Sequence, residues 1–226
     1  MGSDALSDTK FVGYRRKLIE DIRGHGVDDL ETLEVFDRVP RHVFLPDGVW
    51  PRAYEDAPIP IGFNQTASQP SLQAYYLSLL KPRSHEKVLE IGTGSGYLTA
   101  LLALMADRVY SVERVRELSQ RARKALDAMG VKNVALLVGD GTIGWRKYQP
   151  FDVIVVSAAS PSIPTALGEQ LGDHGRMLIP VGSKDSQELL LVRKTGFALT
   201  EEVVRGECTF VPLLGRFAWR DERGGA

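Results

Sequence analysis

One glycine-rich stretch constrains the fold of this chain more than any other feature of the sequence. The apolar run Lys87–Ile91 leads directly into Gly92-Thr93-Gly94-Ser95-Gly96, and a run typical of a helix, Tyr97–Met105, follows. Glycine adopts positive φ angles at little cost and has no Cβ, so a ligand can lie against the backbone of such a turn. The helix that follows begins with free N–H groups. The pattern therefore predicts a buried strand, a ligand-binding turn and a helix.

The spacing of the glycines favours one class of ligand. A dinucleotide-binding turn carries G-x-G-x-x-G, with its third glycine where the helix packs on the strand. Here Tyr97 occupies that position, and the residues from Glu90 to Gly96 read E-x-G-x-G-x-G. This pattern resembles the first motif of class I S-adenosylmethionine (SAM) methyltransferases, whose turn lets the methionine and ribose lie against bare backbone. A structural turn in another α/β domain is the alternative.

Size and composition are those of one globular domain, or of one core with an appended segment. Of the 226 residues 43% are hydrophobic and 25% are charged, and the formal net charge of −1 provides no basic footprint for nucleic acid. The single cysteine, Cys208, excludes an internal disulfide and favours a reducing compartment. No apolar run approaches the ~18 residues of a membrane span, and the N-terminus lacks the layout of a signal peptide. We therefore expect a cytoplasmic protein with no nucleic-acid or membrane partner.

Strand-like and helix-like runs alternate after Lys87, which predicts a parallel sheet with right-handed crossovers. The expected strands are residues 87–91, 108–112, 134–138, 151–156 and 176–181, with helices at 97–105, 115–129 and 164–171. Three further strand-like runs, 189–193, 199–204 and 208–213, have no helix between them. The sequence therefore predicts an α/β fold with a doubly wound, mostly parallel sheet that ends in antiparallel strands.

The first 80 residues follow a different pattern. Helical periodicity predicts helices at 7–23, 29–38 and 71–80, and prolines interrupt the chain between Val39 and Gly62. We expect three parts: an N-terminal helical extension with a substrate loop (1–80), an α/β core with C-terminal strands (81–214) and a frayed tail (215–226).

A polar segment, Gly62-Phe63-Asn64-Gln65-Thr66-Ala67-Ser68-Gln69-Pro70, precedes the third expected helix. A cap next to Pro70 accounts for one of these polar residues. It does not account for glutamine, threonine and serine together, so the segment is interpreted as functional.

Polar side chains also follow the predicted parallel strands, at the end of the sheet where ligands bind. A carboxylate at Glu113, the end of the second strand, can accept hydrogen bonds from both ribose hydroxyls, and Asp140, after the third, can accept from the adenine amino group. Ser157 follows the fourth strand. The expected cofactor-binding residues are Glu90, Gly92, Thr93, Gly94, Ser95, Gly96, Glu113, Asp140 and Gly141. The histidines and the one cysteine lack metal-ligand spacing, so no metal is expected.

Three motifs together resemble the protein-L-isoaspartate (D-aspartate) O-methyltransferase family. They are residues 62–70, residues 88–97, and Gly139-Asp140-Gly141-Thr142-Ile143-Gly144-Trp145, which continues through Pro150-Phe151-Asp152-Val153-Ile154. The resemblance extends from Phe11 to Leu214. It implies a Rossmann-like class I methyltransferase that esterifies the carboxylate of L-isoaspartyl residues in damaged proteins and peptides. The reaction would use SAM, release S-adenosyl-L-homocysteine and start repair through a succinimide.

The resemblance also implies roles for individual residues. Ser68 would be the catalytic residue and, with Thr66, would meet the isoaspartyl carboxylate. Ala67, in the same stretch, replaces a bulkier aliphatic residue. The residues implied for substrate binding are Thr66, Ala67, Thr209, Phe210 and Val211. The last three would form hydrogen bonds with the backbone of the substrate peptide. Gln65 and Gln73 would lie at the edge of the SAM pocket. We expect a monomer.

Three other functions remain open from the sequence. A SAM-dependent carboxyl methyltransferase with a dedicated peptide or small-molecule acceptor would share the cofactor residues. A SAM-binding regulator would be expected to lose Ser68, which is present. An NAD oxidoreductase lacks support because the third glycine is missing.

Overall fold

A seven-stranded sheet forms the centre of the molecule, of which this computed structural model describes residues 8–220. Its strands are β3 (Lys87–Ile91), β4 (Arg108–Glu113), β5 (Val134–Val138), β6 (Phe151–Val156), β7 (Leu171–Gly182), β8 (Gln187–Thr195) and β9 (Ala198–Cys208). Their order across the sheet is β5-β4-β3-β6-β7-β8-β9. Strands β3 to β7 pair in parallel, whereas β8 and β9 add antiparallel. The predicted fold class is confirmed.

Alternating side chains of the central strands enter two separate hydrophobic cores. Val88, Val109 and Val153 point into one core, and their neighbours Leu89 and Ile154 point into the other. This alternation follows from the two-residue period of a strand. Because both faces are covered, the central strands are mostly apolar, as expected of parallel strands, and Glu90 and Ser111 are buried polar exceptions.

Helices cover the first face of the sheet more fully than the second. The helices are α1 (Val12–Gly24), α2 (Leu30–Arg38), α3 (Pro70–Leu80), α4 (Tyr97–Met105), α5 (Arg116–Ala128) and α6 (Thr165–Gln170). Apolar residues of α1 to α5 belong to the first core. The second face is covered by α6 and by the segment that holds the short 3-10 helices Gly141–Ile143 and Arg146–Tyr148. None of the helices within residues 8–220 is long and apolar enough to cross a membrane.

A small hairpin, which the sequence analysis did not predict, stands outside the main sheet. Its strands are β1 (Ile59–Gly62) and β2 (Gln65–Ala67), which pair antiparallel. Phe63 and Asn64 form the two-residue turn with φ angles of 55° and 56°, which matches the turn type that suits hairpin twist. The prolines before and within β1 and the phenylalanine at a positive φ angle hid the hairpin in the sequence pattern.

Two other predictions were wrong at the C-terminal end of the chain. Residues 208–213 are not a separate strand, because β9 continues to Cys208 and the chain then leaves the sheet to bond with Ala159. Residues 215–219 are not frayed: the N–H groups of Gly215 and Trp219 donate to the carbonyls of Trp219 and Leu213. The remainder of the predicted tail, residues 221–226, lies outside the described residues.

Candidate active site

A cavity of about 660 Å³ opens at the carboxyl ends of β3, β4 and β6, between the sheet and the β1–β2 hairpin. Strands β3 and β6 are neighbours, and the chain winds outward from them in opposite directions. Crevices at such a switch point are the usual ligand sites of open α/β sheets. The predicted residues that line the cavity are Gln65, Thr66, Ala67, Ser68, Gln73, Gly92, Thr93, Gly94, Ser95, Glu113, Gly141 and Val211.

The glycine turn presents bare backbone to this cavity. Gly92 and Gly94 line it with φ angles of 94° and 53°, a region that other residues adopt at a cost. Gly96 has a different role, since it does not line the cavity. A Cβ on Gly96 would lie 2.9 Å from the Cβ of Ala122, so this glycine lets α4 begin against α5.

Glu113 lines the cavity and is held in place by two backbone N–H groups. Its carboxylate oxygens accept hydrogen bonds from Gly94 N and Val115 N, each at 2.8 Å. A carboxylate has about four acceptor positions. Two donors therefore leave capacity for the hydroxyls of a ligand.

Glu90 lies behind the glycine turn and not in the cavity wall. It is fully buried, and its Oε2 accepts hydrogen bonds of 2.6 Å from the hydroxyls of Thr99 and Ser111. The Ser111 hydroxyl is also 2.5 Å from that of Thr93, which does line the cavity. Burial raises the pKa of Glu90 to about 7, although the two hydroxyl donors favour its charged form. In this structure Glu90 contacts the turn through hydroxyls.

Asp140 is likewise set back from the cavity, whereas Gly141 lines it. The Asp140 Oδ1 accepts hydrogen bonds from the backbone and side chain of Thr142, and its Oδ2 accepts from Arg216 N. The carboxylate thereby attaches the C-terminal segment to the end of β5. A Cβ on Gly141 would lie 2.5 Å from Ile91 Cγ2, so only glycine fits there without displacement.

The polar segment around the hairpin forms the opposite wall. Strand β2 and the residue after it bring Gln65, Thr66, Ala67 and Ser68 to the cavity. Gln73, on the first turns of α3, also lines it. The Gln73 Oε1 is buried and has no hydrogen-bond partner within residues 8–220, which leaves it for a donor on a bound molecule.

The structure separates the three residues expected to bind the substrate backbone. Val211 lines the cavity, and its carbonyl accepts from Ala159 N at 2.8 Å. Phe210 is buried against Tyr76, with ring centroids 6.3 Å apart, and its N–H donates to Gln187 Oε1. Thr209 is exposed and does not line the cavity.

Several lining residues were missed in the sequence analysis. The apolar ones, among them Leu98, Leu213 and Leu214, carry no chemical signal in the sequence. Ser157 lines the cavity opposite Gly92, whose added Cβ would lie 3.5 Å from the Ser157 Cβ. Its position after the fourth predicted strand had already indicated a place at the ligand-binding edge of the sheet, although it was not assigned to the cofactor or to the substrate. Within residues 8–220 no cluster of three or more His, Cys, Asp or Glu could hold a metal ion.

Three features occur together here. A strand–turn–helix exposes glycine backbone, an acidic residue stands at the end of the next strand, and one cavity spans the switch point. With the antiparallel strands that close the sheet, this arrangement defines a class I SAM-dependent methyltransferase.

Comparison with known proteins identifies the family within this class. The model of the protein-L-isoaspartate (D-aspartate) O-methyltransferase family matches residues 14–218, and the chain belongs to that family. The chain is 47% identical over 210 residues to the protein-L-isoaspartate O-methyltransferase of Geobacter metallireducens, covering 92% of this chain and 97% of the relative. The corresponding protein of Trichlorobacter lovleyi is 46% identical, with 92% and 96% covered.

Two solved structures have the same fold. A protein-L-isoaspartate O-methyltransferase superposes with a TM-score of 0.83 at 29% identity, over 90% of this chain and 67% of its own. A Plasmodium falciparum protein, solved in complex with S-adenosyl-L-homocysteine, superposes with a TM-score of 0.79 at 22% identity, over 88% and 98%.

Proposed function

We propose that this chain transfers a methyl group from SAM to the carboxylate of L-isoaspartyl residues in damaged proteins and peptides. S-adenosyl-L-homocysteine is the other product, and the ester starts repair through a succinimide. Membership of the family supports the reaction. The observation that carries its assignment to this site is that one cavity joins the glycine turn and Glu113 to the segment Gln65 to Ser68. We call the first side (residues 92–95 with Glu113) the cofactor wall and the second (residues 65–68) the acceptor wall.

The residues of the cofactor wall fit SAM. The bare backbone of Gly92 and Gly94 admits a ligand without Cβ clashes. Glu113 retains acceptor capacity for two ribose hydroxyls, and the unpartnered Gln73 Oε1 suits a donor such as an ammonium group. Gly141 would border the adenine. Glu90, Gly96 and Asp140 would contribute by shaping the turn and the end of β5.

The acceptor wall needs little chemical activation. When bound, SAM supplies an electrophilic sulfonium methyl group. An aspartyl-type carboxylate, with a reference pKa of ~4, is already ionised at neutral pH and needs no general base. Consistent with this, none of the described residues that line the cavity is a histidine or lysine. The hydroxyls of Ser68 and Thr66 would orient the carboxylate by donating to one oxygen, which leaves the other free to take the methyl group.

Alignment and exclusion of water account for the rate enhancement. Holding two reacting groups in line can supply ~7–11 kcal/mol of the barrier. The charges of a carboxylate and a sulfonium are neutralised as the methyl moves, so a drier site favours the reaction. Apolar lining residues such as Leu98, Val211 and Leu213 serve that purpose. The exposed Thr209 and the cavity-lining Val211 would guide the substrate backbone toward Ser68.

A second candidate is a carboxyl methyltransferase with a dedicated peptide or small-molecule acceptor. Ala67 favours it, because this small buried residue lines the cavity at a position where the family resemblance implies a bulkier side chain. We also infer a monomeric, cytoplasmic protein without nucleic-acid or membrane partners. The net charge of −1 provides no basic footprint for nucleic acid, and the single cysteine fits a reducing compartment.

The decisive experiment compares two synthetic peptides that differ only in one aspartyl or isoaspartyl linkage. With methyl-labelled SAM, we expect base-labile label on the isoaspartyl peptide alone. Label on both peptides would contradict the specificity. Label on neither, with SAM still bound, would leave the dedicated-acceptor function as the better explanation.

A further inference from the structure

We propose that Arg41 is a positioning residue for methyl transfer, because one buried guanidinium holds both ends of the hairpin that carries the acceptor wall. This assignment rests on the proposed function of that wall. It concerns a residue far from the wall in sequence and outside the cavity lining.

The contacts of Arg41 converge on the base of the hairpin. The side chain is fully buried, and its Nη1 donates to the carbonyls of Ala53 and Glu55, each at 3.0 Å. Its Nη2 donates to the carbonyl of Ala57 at 3.3 Å and to that of Ser68 at 3.0 Å. Ala57 lies two residues before β1, and Ser68 directly follows β2. A single nitrogen thus joins the two chain ends between which the hairpin extends.

The chemistry of the guanidinium suits this task. Buried charged groups are normally paired with an opposite charge, whereas the hydrogen bonds of Arg41 go to four backbone carbonyls. Burial lowers the pKa of Arg41 to about 10, so the group still carries its charge at neutral pH. A planar fork with five donors can bridge several carbonyls at fixed angles, which the single ammonium of lysine cannot do.

Two further contacts join this clamp to the rest of the site. The guanidinium carbon lies 5.8 Å from the ring centroid of Tyr97, the residue that follows the glycine turn. Beyond Ser68, the Asp56 carboxylate accepts from Gln69 Nε2 at 2.9 Å and from Ser71 N at 2.7 Å. Arg41 therefore holds Ser68 through its own carbonyl, and Asp56 holds the residues that follow it.

The consequence is a specific effect on turnover. A displacement of about 1 Å in a group that aligns the reactants can cost ~100-fold in rate. If Arg41 sets the position of Ser68, its replacement reduces kcat and disturbs SAM binding much less, because Gly92, Gly94 and Glu113 belong to the main sheet and its turns.

The test compares Arg41→Lys with a matched control, Arg176→Lys. Arg176 also donates to backbone carbonyls, those of Leu80 and Lys81, and pairs with Glu86, but it lies on β7 outside the cavity lining. Both variants are assayed with the isoaspartyl peptide and SAM at a temperature where circular dichroism shows them folded. We expect kcat to fall about 30-fold or more in Arg41→Lys, with the SAM Kd within threefold of wild type, and kcat within twofold in Arg176→Lys.

A double-mutant cycle with Ser68→Ala separates positioning from a general structural role. If Arg41 acts through Ser68, adding Arg41→Lys to Ser68→Ala lowers kcat by less than threefold. Independent, multiplicative losses would overturn the assignment, as would an Arg41→Lys variant with wild-type kcat. If the lysine variant does not fold, Arg41→Gln replaces it in the same cycle under the same criteria. Failure of wild-type protein to label the isoaspartyl peptide would overturn the proposed function and this assignment with it; a labelled peptide with unchanged variant kcat overturns the assignment alone.

Discussion

The cofactor wall is made from the centre of the sheet, whereas the acceptor wall belongs to a two-stranded hairpin outside it. The cofactor wall follows β3 and β4, whose residues are buried in cores on both faces. The hairpin instead has an exposed turn and an exposed Thr66, and guanidinium groups hold it at both ends. Arg41 holds its base, and Arg121 of α5 contacts its tip.

The difference shows where each wall is vulnerable. A wall that is part of a packed sheet resists local change, because its position is set by many contacts at once. A hairpin of two short strands has marginal stability by itself, so its position depends on a few side-chain bonds. We expect changes on the cofactor wall to alter stability and SAM affinity, and changes on the acceptor wall to alter turnover.

The largest expected effect concerns the buried carboxyl behind the cofactor wall. The pKa of Glu90 is raised from its ordinary 4.5 to about 7 in the folded protein. Between these values the folded state retains the proton and the unfolded state releases it, so stability decreases as pH rises through this window. This contribution amounts to about 3 kcal/mol.

Glu90→Gln removes this titration and tests the sign. We expect urea unfolding without SAM to show that, between pH 5 and pH 8, the free energy of unfolding of the wild type falls by up to about 3 kcal/mol more than that of the variant. Parallel stability curves for the two proteins would contradict the raised pKa.

Ser68→Ala tests the acceptor wall directly. Loss of the hydroxyl leaves the carboxylate less well aligned, and we expect kcat to fall about 100-fold, or about 2.7 kcal/mol, with the SAM Kd within twofold. Steady-state kinetics and equilibrium SAM binding measure the two effects. The control is Ser84→Ala. Ser84 is an exposed serine just before β3, at the end of that strand away from the cavity. Equal kinetics in the two variants would remove Ser68 from the mechanism.

Glu113→Gln is the counterpart on the cofactor wall. In the wild-type protein the N–H groups of Gly94 and Val115 donate to the Glu113 carboxylate. In the variant one carboxylate oxygen is replaced by an NH₂ group, which is a donor and would face one of these N–H groups. We expect the SAM Kd to rise about 30-fold, or about 2 kcal/mol, with kcat at saturating SAM nearly unchanged. Isothermal titration measures the affinity, and Glu117→Gln, exposed on α5, should bind SAM as wild type does. A lower kcat with normal affinity would reverse the assignment of this wall.

The smallest effect is expected at the tip of the hairpin. Arg121 donates from Nη1 to the Ile61 carbonyl at 3.2 Å, and its guanidinium lies 5.3 Å from the Phe63 ring centroid. Because the Arg121 and Phe63 side chains are exposed, we expect this contact to contribute only about 0.7 kcal/mol. Arg121→Ala should raise the peptide KM about threefold, whereas Lys124→Ala on the same helix should not. An effect on kcat as large as that of Arg41→Lys would mean that tip and base are equally important.

Local patterns were sufficient for much of the fold and for the cofactor wall. The boundaries of β3, β5, β6 and α4 agree with the predicted ones, because apolar runs and glycine spacing are signals within ten or so neighbouring residues. Gly92, Gly94 and Glu113 were likewise recognisable from their positions at strand ends. The resemblance to known motifs added the acceptor residues, which chemistry alone left unassigned.

Long-range contacts decided what remained. Asp140 accepts from Arg216, 76 residues away, so its carboxylate attaches the C-terminal segment at a place where the sequence indicated only an acid after a strand. Thr209 and Phe210 lie outside the cavity lining because the chain leaves β9 to bond with Ala159. Arg41 contacts Ser68 across 27 residues. A side chain's type limits which bonds it can form, but which partner it meets depends on how distant segments pack, and only the folded chain determines that.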